Sequence, residues 1–260
     1  FTNGTIFTNG NKIKFKENWY GQDKIPKMKI PFNWEPDAEG GEIQKMIDDR
    51  LKTDKIGFED NKDTFLKSVG CVFMSTNEIE KMVILVGRSG TGKSTIMTLL
   101  KHIFEFSELS LPTIVKSERF ALYPAVDKDI NDDIQSGTLK NIGNLKSFTT
   151  GNGGEVEKKG ENERIKLTLY NTPRIFGCGN SLPIMNEEGF ERRLLLIIAD
   201  NPIKNNEKRK SFQTDIIVGK MDKQIEWLIY TAITKYQETR DKPIIDNATE
   251  NFMQNEWSKN

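Results

Sequence analysis

A chain of 260 residues is long enough for one large domain, or for one domain with small appendages. With 36% hydrophobic residues, 29% charged residues and a formal net charge of zero, it has the composition of a soluble globular protein, and any nucleic-acid contact must be a local patch. Cys71 and Cys178 are the only cysteines and His102 the only histidine, which argues against a disulfide scaffold and a zinc site; no signal peptide is expected, and there is no run of about 18 apolar residues.

Few cysteines fit a reducing cytoplasm, and a start at Phe1 rather than Met leads us to expect a fragment of a longer protein. Residues 1–33 carry little pattern. Asn3-Gly4 and Asn9-Gly10 are hairpin-turn signals, and Pro26, Pro31 and Pro36 keep the chain extended. Apolar spacing predicts amphipathic helices over 41–51 (Ile43, Met46, Ile47, Leu51) and 63–73 (Phe65, Leu66, Val69, Val72, Phe73).

Residues 82–94, MVILVGRSGTGKS, organise everything else. Five unbroken apolar residues predict a strand buried on both faces. Ile96, Leu99, Leu100, Ile103 and Phe104 predict a following helix. Between them, Gly87-Arg88-Ser89-Gly90-Thr91-Gly92-Lys93-Ser94 fits G-x-x-x-x-G-K-[ST] in the strand–loop–helix context that a phosphate-binding loop requires. The glycines let backbone N–H groups face an anion at the helix N-terminus. Lys93 would reach the β- and γ-phosphates of a nucleoside triphosphate and Ser94 would ligate Mg2+, with Thr95 completing the binding run.

Further on, 112–115 and 120–126 read as short strands, the second an edge or bulge because of Pro124, and 129–141 reads as a helix with Ile130, Ile134 and Leu139 inward. Residues 174–178 and 194–198 read as apolar strands. Residues 203–213 read as a polar loop or linker, and Met221 to Tyr236 as one long amphipathic helix. Alternating strands and helices around the loop indicate an α/β sheet with helices on both faces.

Four further features carry chemistry. Asp127 and Asp129, at the end of the 120–126 strand, are placed to hold Mg2+ and polarise water, or else belong to a solvated acidic turn. Residues 151–169 predict a β-hairpin with its tip near Lys159-Gly160. Its lysines suit phosphates, but four glutamates cancel their charge. Asn180 ends a strand where its amide could orient water, although Asn is also a common turn former. Arg192-Arg193 precede the 194–198 strand, either to stabilise phosphoryl-transfer charge or to cap a strand edge.

In order, GRSGTGKST, the acidic strand end, GTLKNI…TTGN, the Lys-bearing hairpin, GNSLP and FERRLLLI resemble the superfamily 3 helicases, in particular the phage, plasmid and poxvirus primase–helicase family. Ile30-Pro31-Phe32-Asn33-Trp34-Glu35-Pro36-Asp37-Ala38 is similar to the family's pre-helicase segment, and Ile225-Glu226-Trp227-Leu228 to the helix after its core. The resemblance implies an AAA+-like P-loop NTPase core over 76–205, a small N-terminal extension over 1–75 and a C-terminal helical segment over 206–260. It implies a Walker A loop at 87–94, a Walker B acid at Asp127 or Asp129, a sensor at Asn180, an arginine finger at Arg192 or Arg193, and DNA-facing lysines at Lys158 and Lys159. The activity so implied is ATP- and Mg2+-dependent DNA helicase action in the host cytoplasm, by a ring, expected as a hexamer, on single-stranded or forked DNA. A primase-polymerase domain would lie upstream if the family pattern holds. Two rivals remain: an ATP-gated scaffold at a replication origin, and a P-loop NTPase such as a kinase acting on a small substrate.

Overall fold

The computed structural model describes residues 1–9, 12–19, 29–74, 76–116, 122–126, 128–134, 138–139, 142–150, 154–160, 164–182, 184–185, 190–203 and 206–240. In chain order these form β1 (Gly4–Asn9), β2 (Lys12–Glu17), α1 (Gly41–Arg50), α2 (Asn61–Val72), β3 (Met82–Val86), α3 (Lys93–Ile103), β4 (Phe106–Glu108), α4 (Leu111–Val115), β5 (Asp129–Ile134) and β6 (Thr138–Leu139). They continue with α5 (Gly143–Thr149), β7 (Glu155–Glu157), β8 (Arg164–Lys166), β9 (Ile175–Gly179), β10 (Ile184–Met185), β11 (Leu194–Ile198), α6 (Asn206–Ile217) and α7 (Asp222–Thr239).

The centre is a five-stranded sheet in the order β11-β3-β9-β5-β4, with every pairing parallel. Strands β11, β3 and β9 are apolar on both faces because both faces are covered. Val83, Leu85, Phe176, Leu195 and Ile197 point to one core, which α1, α2, α3, α6 and α7 complete. Met82, Ile84, Ile175, Leu194, Leu196 and Ile198 point to the other, which α4, α5 and the base of the β7–β8 hairpin complete through Leu111, Leu145, Phe148 and Val156.

The N-terminal and C-terminal segments lie in the same layer. Ile43, Phe65, Val69, Ile225, Ile229 and Ile233 share one cluster. Gly70 makes the close approach of α2 to α7 possible, since a Cβ there would lie 2.1 Å from the Ala232 carbonyl oxygen. Trp34 packs on Tyr230 with ring centroids 5.0 Å apart, and Glu226 accepts from the Asn33 N–H at 2.9 Å. The β1–β2 hairpin pairs from Gly4↔Glu17 to Asn9↔Lys12 and joins this layer through Ile6, Ile13 and Phe15.

Four sequence expectations are corrected. Residues 112–115 lie in helix α4, started by Ser110, whose hydroxyl accepts from the Thr113 N–H at 3.3 Å, and by Pro112 in the first turn. Of the expected 120–126 strand, the described part holds a 3₁₀ turn at Tyr123–Ala125, which suits the fixed φ of Pro124. Residues 129–134 are strand β5 rather than helix, because the segment fills a place between β9 and β4. Much of the expected 203–213 linker is helix α6, which seats Ile216 and Phe212 in the core. Among the described residues, no helix is long and apolar enough to cross a membrane.

Candidate functional site

The loop between β3 and α3 stands at the C-terminal edge of the sheet. Gly87 leaves β3 so close to the segment after β11 that a Cβ would lie 1.9 Å from the Ala199 carbonyl oxygen. Ala199 in turn donates to Val86 at 2.8 Å, so this approach is backbone against backbone. Gly90 and Gly92 have φ of +80° and +93°, values that only glycine adopts at little cost. Ile203 donates to the Gly90 carbonyl at 2.8 Å and pins the loop from outside. Helix α3 begins at Lys93 with no acidic residue in its first turn and no side-chain cap, so its N-terminal N–H groups and partial positive charge are not offset by its own residues.

Lys93 is nearly buried, at 9% exposure. Its ammonium donates to the Gly87 carbonyl at 2.6 Å, the Arg88 carbonyl at 2.7 Å and Asn180 Oδ1 at 3.0 Å. Asn180 gets there by register: β9 pairs β3 with Val86 opposite Gly179, so the next residue on each strand leaves the sheet at the same edge. Two residues 87 positions apart, both expected in the site, are thus in contact. Ser94 is exposed at the head of α3, and Thr95 is held by Gln213 Nε2 at 3.1 Å.

The other expected residues fall elsewhere. Asp127 lies outside the described residues. Asp129 begins β5, at the edge of the sheet opposite Lys93, where its carboxylate accepts from the Arg174 backbone N–H at 2.9 Å and sits 3.7 Å from the Arg174 guanidinium. Five steps along β5 separate it from the loop-side edge, roughly 16 Å, so Asp129 is not brought to Lys93. Arg192 and Arg193 form a 3₁₀ turn before β11, also at the far edge; Arg192 is exposed and Arg193 half-buried. The β7–β8 hairpin is present, with Val156 opposite Ile165. Lys159 is exposed at its tip, while the Lys158 ammonium lies over the Tyr123 ring, 5.8 Å from the centroid.

The structure adds residues that the sequence reading missed. By register, Asp132 and Asp133 lie opposite Gly177 and Cys178, in the loop-side half of β5. Reading 129–141 as a strand rather than a helix was the signal that would have found them. The side chain of Arg50 packs over Gly92 and donates to the Asn201 carbonyl at 2.8 Å, so α1 braces the loop. Burial holds the Arg50 guanidinium pKa below its ordinary value.

A parallel α/β sheet with a glycine-rich strand–loop–helix crossing and a lysine at the helix head is an arrangement whose chemistry suits an anion at a helix N-terminus. A model of a family of unknown function, DUF5906, matches residues 85–193, which run from β3 through Arg193. No curated protein matches. Among solved structures, the apo C-terminal region of NrS-1 is similar at TM-score 0.58 and 14% identity, covering 96% of this chain and 69% of that one. A second structure of the same NrS-1 region aligns at 0.53 and 16%, covering 85% of this chain and 54% of that one. JCV helicase aligns at TM-score 0.41 and 16% identity, covering 82% of this chain and 64% of that one. The NrS-1 likeness shows a shared fold.

Proposed function

We propose that this chain is the ATPase domain of a ring-forming DNA helicase of the superfamily 3 type, acting in replication. The observation that carries the reading is the contact of Lys93 with Asn180 at the loop-side edge of a parallel sheet. A helix-head lysine and an amide from the neighbouring strand converge where a γ-phosphate would sit on α3. Supporting it are the loop's full match to the phosphate-binding pattern and the fold shared with the NrS-1 region.

ATP is the substrate in this reading, and the residues fit it. The loop N–H groups and Lys93 would cradle the phosphates, with Lys93 exchanging its two carbonyl acceptors for phosphate oxygens. Mg2+ would be held by Ser94 and by one acid in the loop-side half of β5, Asp132 or Asp133, and would neutralise developing phosphate charge. Asn180 would orient the attacking water. Arg192 and Arg193 are too far from their own loop, so their role as a finger is in trans, each subunit of a ring serving its neighbour. Lys159 would contact the DNA backbone at the hairpin tip, and Lys158 would brace the hairpin on Tyr123.

The test is phosphate release with and without single-stranded DNA, for the wild type and for Lys93→Ala. Hydrolysis stimulated by DNA and abolished in Lys93→Ala is expected. Hydrolysis indifferent to DNA favours the small-substrate NTPase, DNA-bound oligomers without strand separation favour the scaffold, and wild-type turnover by Lys93→Ala overturns the site.

A further inference from the structure

At the sheet edge opposite Lys93, a cleft of about 440 Å³ opens between the end of α3, the start of β5 and the turn that leads into β9. That volume is the size of a small-ligand site. Lys29, Lys101 and Lys128 stand on its walls and are exposed. Arg174, 3% exposed, lines the cleft, and its Nε has no hydrogen-bond partner among the described residues. Asp129, the acid beside it, already accepts from Arg174.

The turn at the mouth presents an aromatic ring. Tyr170 is 70% exposed and Leu169 43%, an adjacent pair among the few large apolar side chains left in solvent among the described residues. Their support is tightly bonded. Asn171 Oδ1 accepts from the Thr168 N–H at 2.6 Å, the Thr172 N–H donates to the Thr168 carbonyl at 2.9 Å, and Asn171 Nδ2 donates to the Lys166 carbonyl at 3.1 Å. Tyr170 is therefore held out on a preorganised turn. Core packing does not account for that placement.

We propose that this cleft is a second contact for single-stranded nucleic acid, with Tyr170 as the stacking platform for a base and Lys29, Lys101 and Lys128 as contacts to the flanking phosphates. Rigid exposed aromatics beside mobile cations are what sequence-tolerant single-strand binding requires. Lys101 pairs with Glu108 and Lys128 with Glu105, but both glutamates are exposed, so each lysine exchanges its partner for a phosphate at little cost. Lysines spread around an open mouth suit a chain that enters and leaves. Tyr170 follows β8 by four residues, so the same connection that builds the hairpin carries this platform. The site is separate from Lys93 and does not require hydrolysis.

The experiment is anisotropy of a labelled oligodeoxythymidylate across a salt series, using Lys159→Ala protein so that the hairpin tip is silent. Adding Tyr170→Ala should weaken binding about 5- to 150-fold, and Tyr170→Phe should leave it unchanged. Adding Lys101→Ala and Lys128→Ala should lower the slope of log affinity against log salt by roughly 1.4. Ultraviolet crosslinking of a bromouracil-substituted strand should map to Tyr170. Unchanged affinity and salt slope, or competition by free thymidine triphosphate as effective as by the strand, would overturn the proposal. Failure of the ATPase reading would show separately, as absent phosphate release with this crosslink intact.

Discussion

Replacing Asp129 with alanine separates a structural acid from a catalytic one. Asp129 is 7% exposed, and its carboxylate gives the Arg174 backbone N–H its acceptor at 2.9 Å. It is also the counter-charge 3.7 Å from a guanidinium whose remaining bonds go to the neutral carbonyls of Met74 and Thr76 at 2.8 and 2.9 Å. Its loss leaves a buried donor unpaired and a buried cation without an anion, a change worth about 3–5 kcal/mol. For a domain of this size each kcal/mol moves the melting point by about 2–4 °C, so the variant should melt roughly 6–20 °C lower. Asp129→Asn keeps an acceptor for the N–H and should lose less. Calorimetric melting, together with phosphate release well below the melting point, measures both sides. Per folded molecule, hydrolysis should match the wild type. A variant that melts within about 2 °C of wild type yet hydrolyses nothing would refute the placement of Asp129 and restore it as a metal ligand; that threshold is below the shift expected for even 1 kcal/mol.

Gly87→Ala should destabilise by at least about 3 kcal/mol, the upper end of overpacking costs, because the new methyl meets the Ala199 carbonyl at 1.9 Å. Gly90→Ala, with open space but φ of +80°, should cost only about 1 kcal/mol, and equal melting shifts would contradict the geometry. Lys159→Ala should weaken DNA binding and flatten its salt dependence, whereas Lys158→Ala should chiefly loosen the hairpin, read as faster amide exchange at Val156. Burial pushes the Asp63 carboxyl up, but hydrogen bonds from Lys235 and Lys67 outweigh it and hold the pKa below the ordinary 3.8. The native value lies below the unfolded one, so this stabilisation is complete above 3.8 and is lost as pH falls through the native value. Asp63→Asn should therefore flatten the acid limb of a melting-point-against-pH curve and leave its shape near neutrality alone.

The loop and its flanks were legible because two strong signals meet there: an unbroken apolar run and a glycine pattern followed by helical spacing. Helices α2 and α7 were legible for the same reason of periodicity. Strand β5 was not, since Ile130 and Ile134 stand four apart as on a helix, and Asn131-Asp132-Asp133 hide a sheet strand behind polarity. Tertiary pairing with β9 and β4 overrides that local pattern. Asp129 is expected at the end of a strand over 120–126, whereas it begins β5, whose loop-side end at Ile134 lies five residues further on. Asn180 was legible as a candidate, but its contact with Lys93 depends on the pairing of β3 with β9, a relation between distant segments that no local spacing encodes. Arg50 was invisible for the same reason, carrying no signal beyond a helix C-terminus.

The packing of α1 and α2 against α7 also bears on how the chain is made. Roughly 150 residues separate the end of α2 from the start of α7. At about 5–20 residues per second, translation takes about 8–30 s to cross that gap. During that time Ile43, Phe65 and Val69 have emerged, but the residues that cover them, Ile225, Ile229 and Ile233, have not been synthesised. The nascent chain therefore shows a chaperone two adjacent greasy helix faces well before the final layer closes. Helices α1 and α2 leave the ribosome well before the layer that buries them exists.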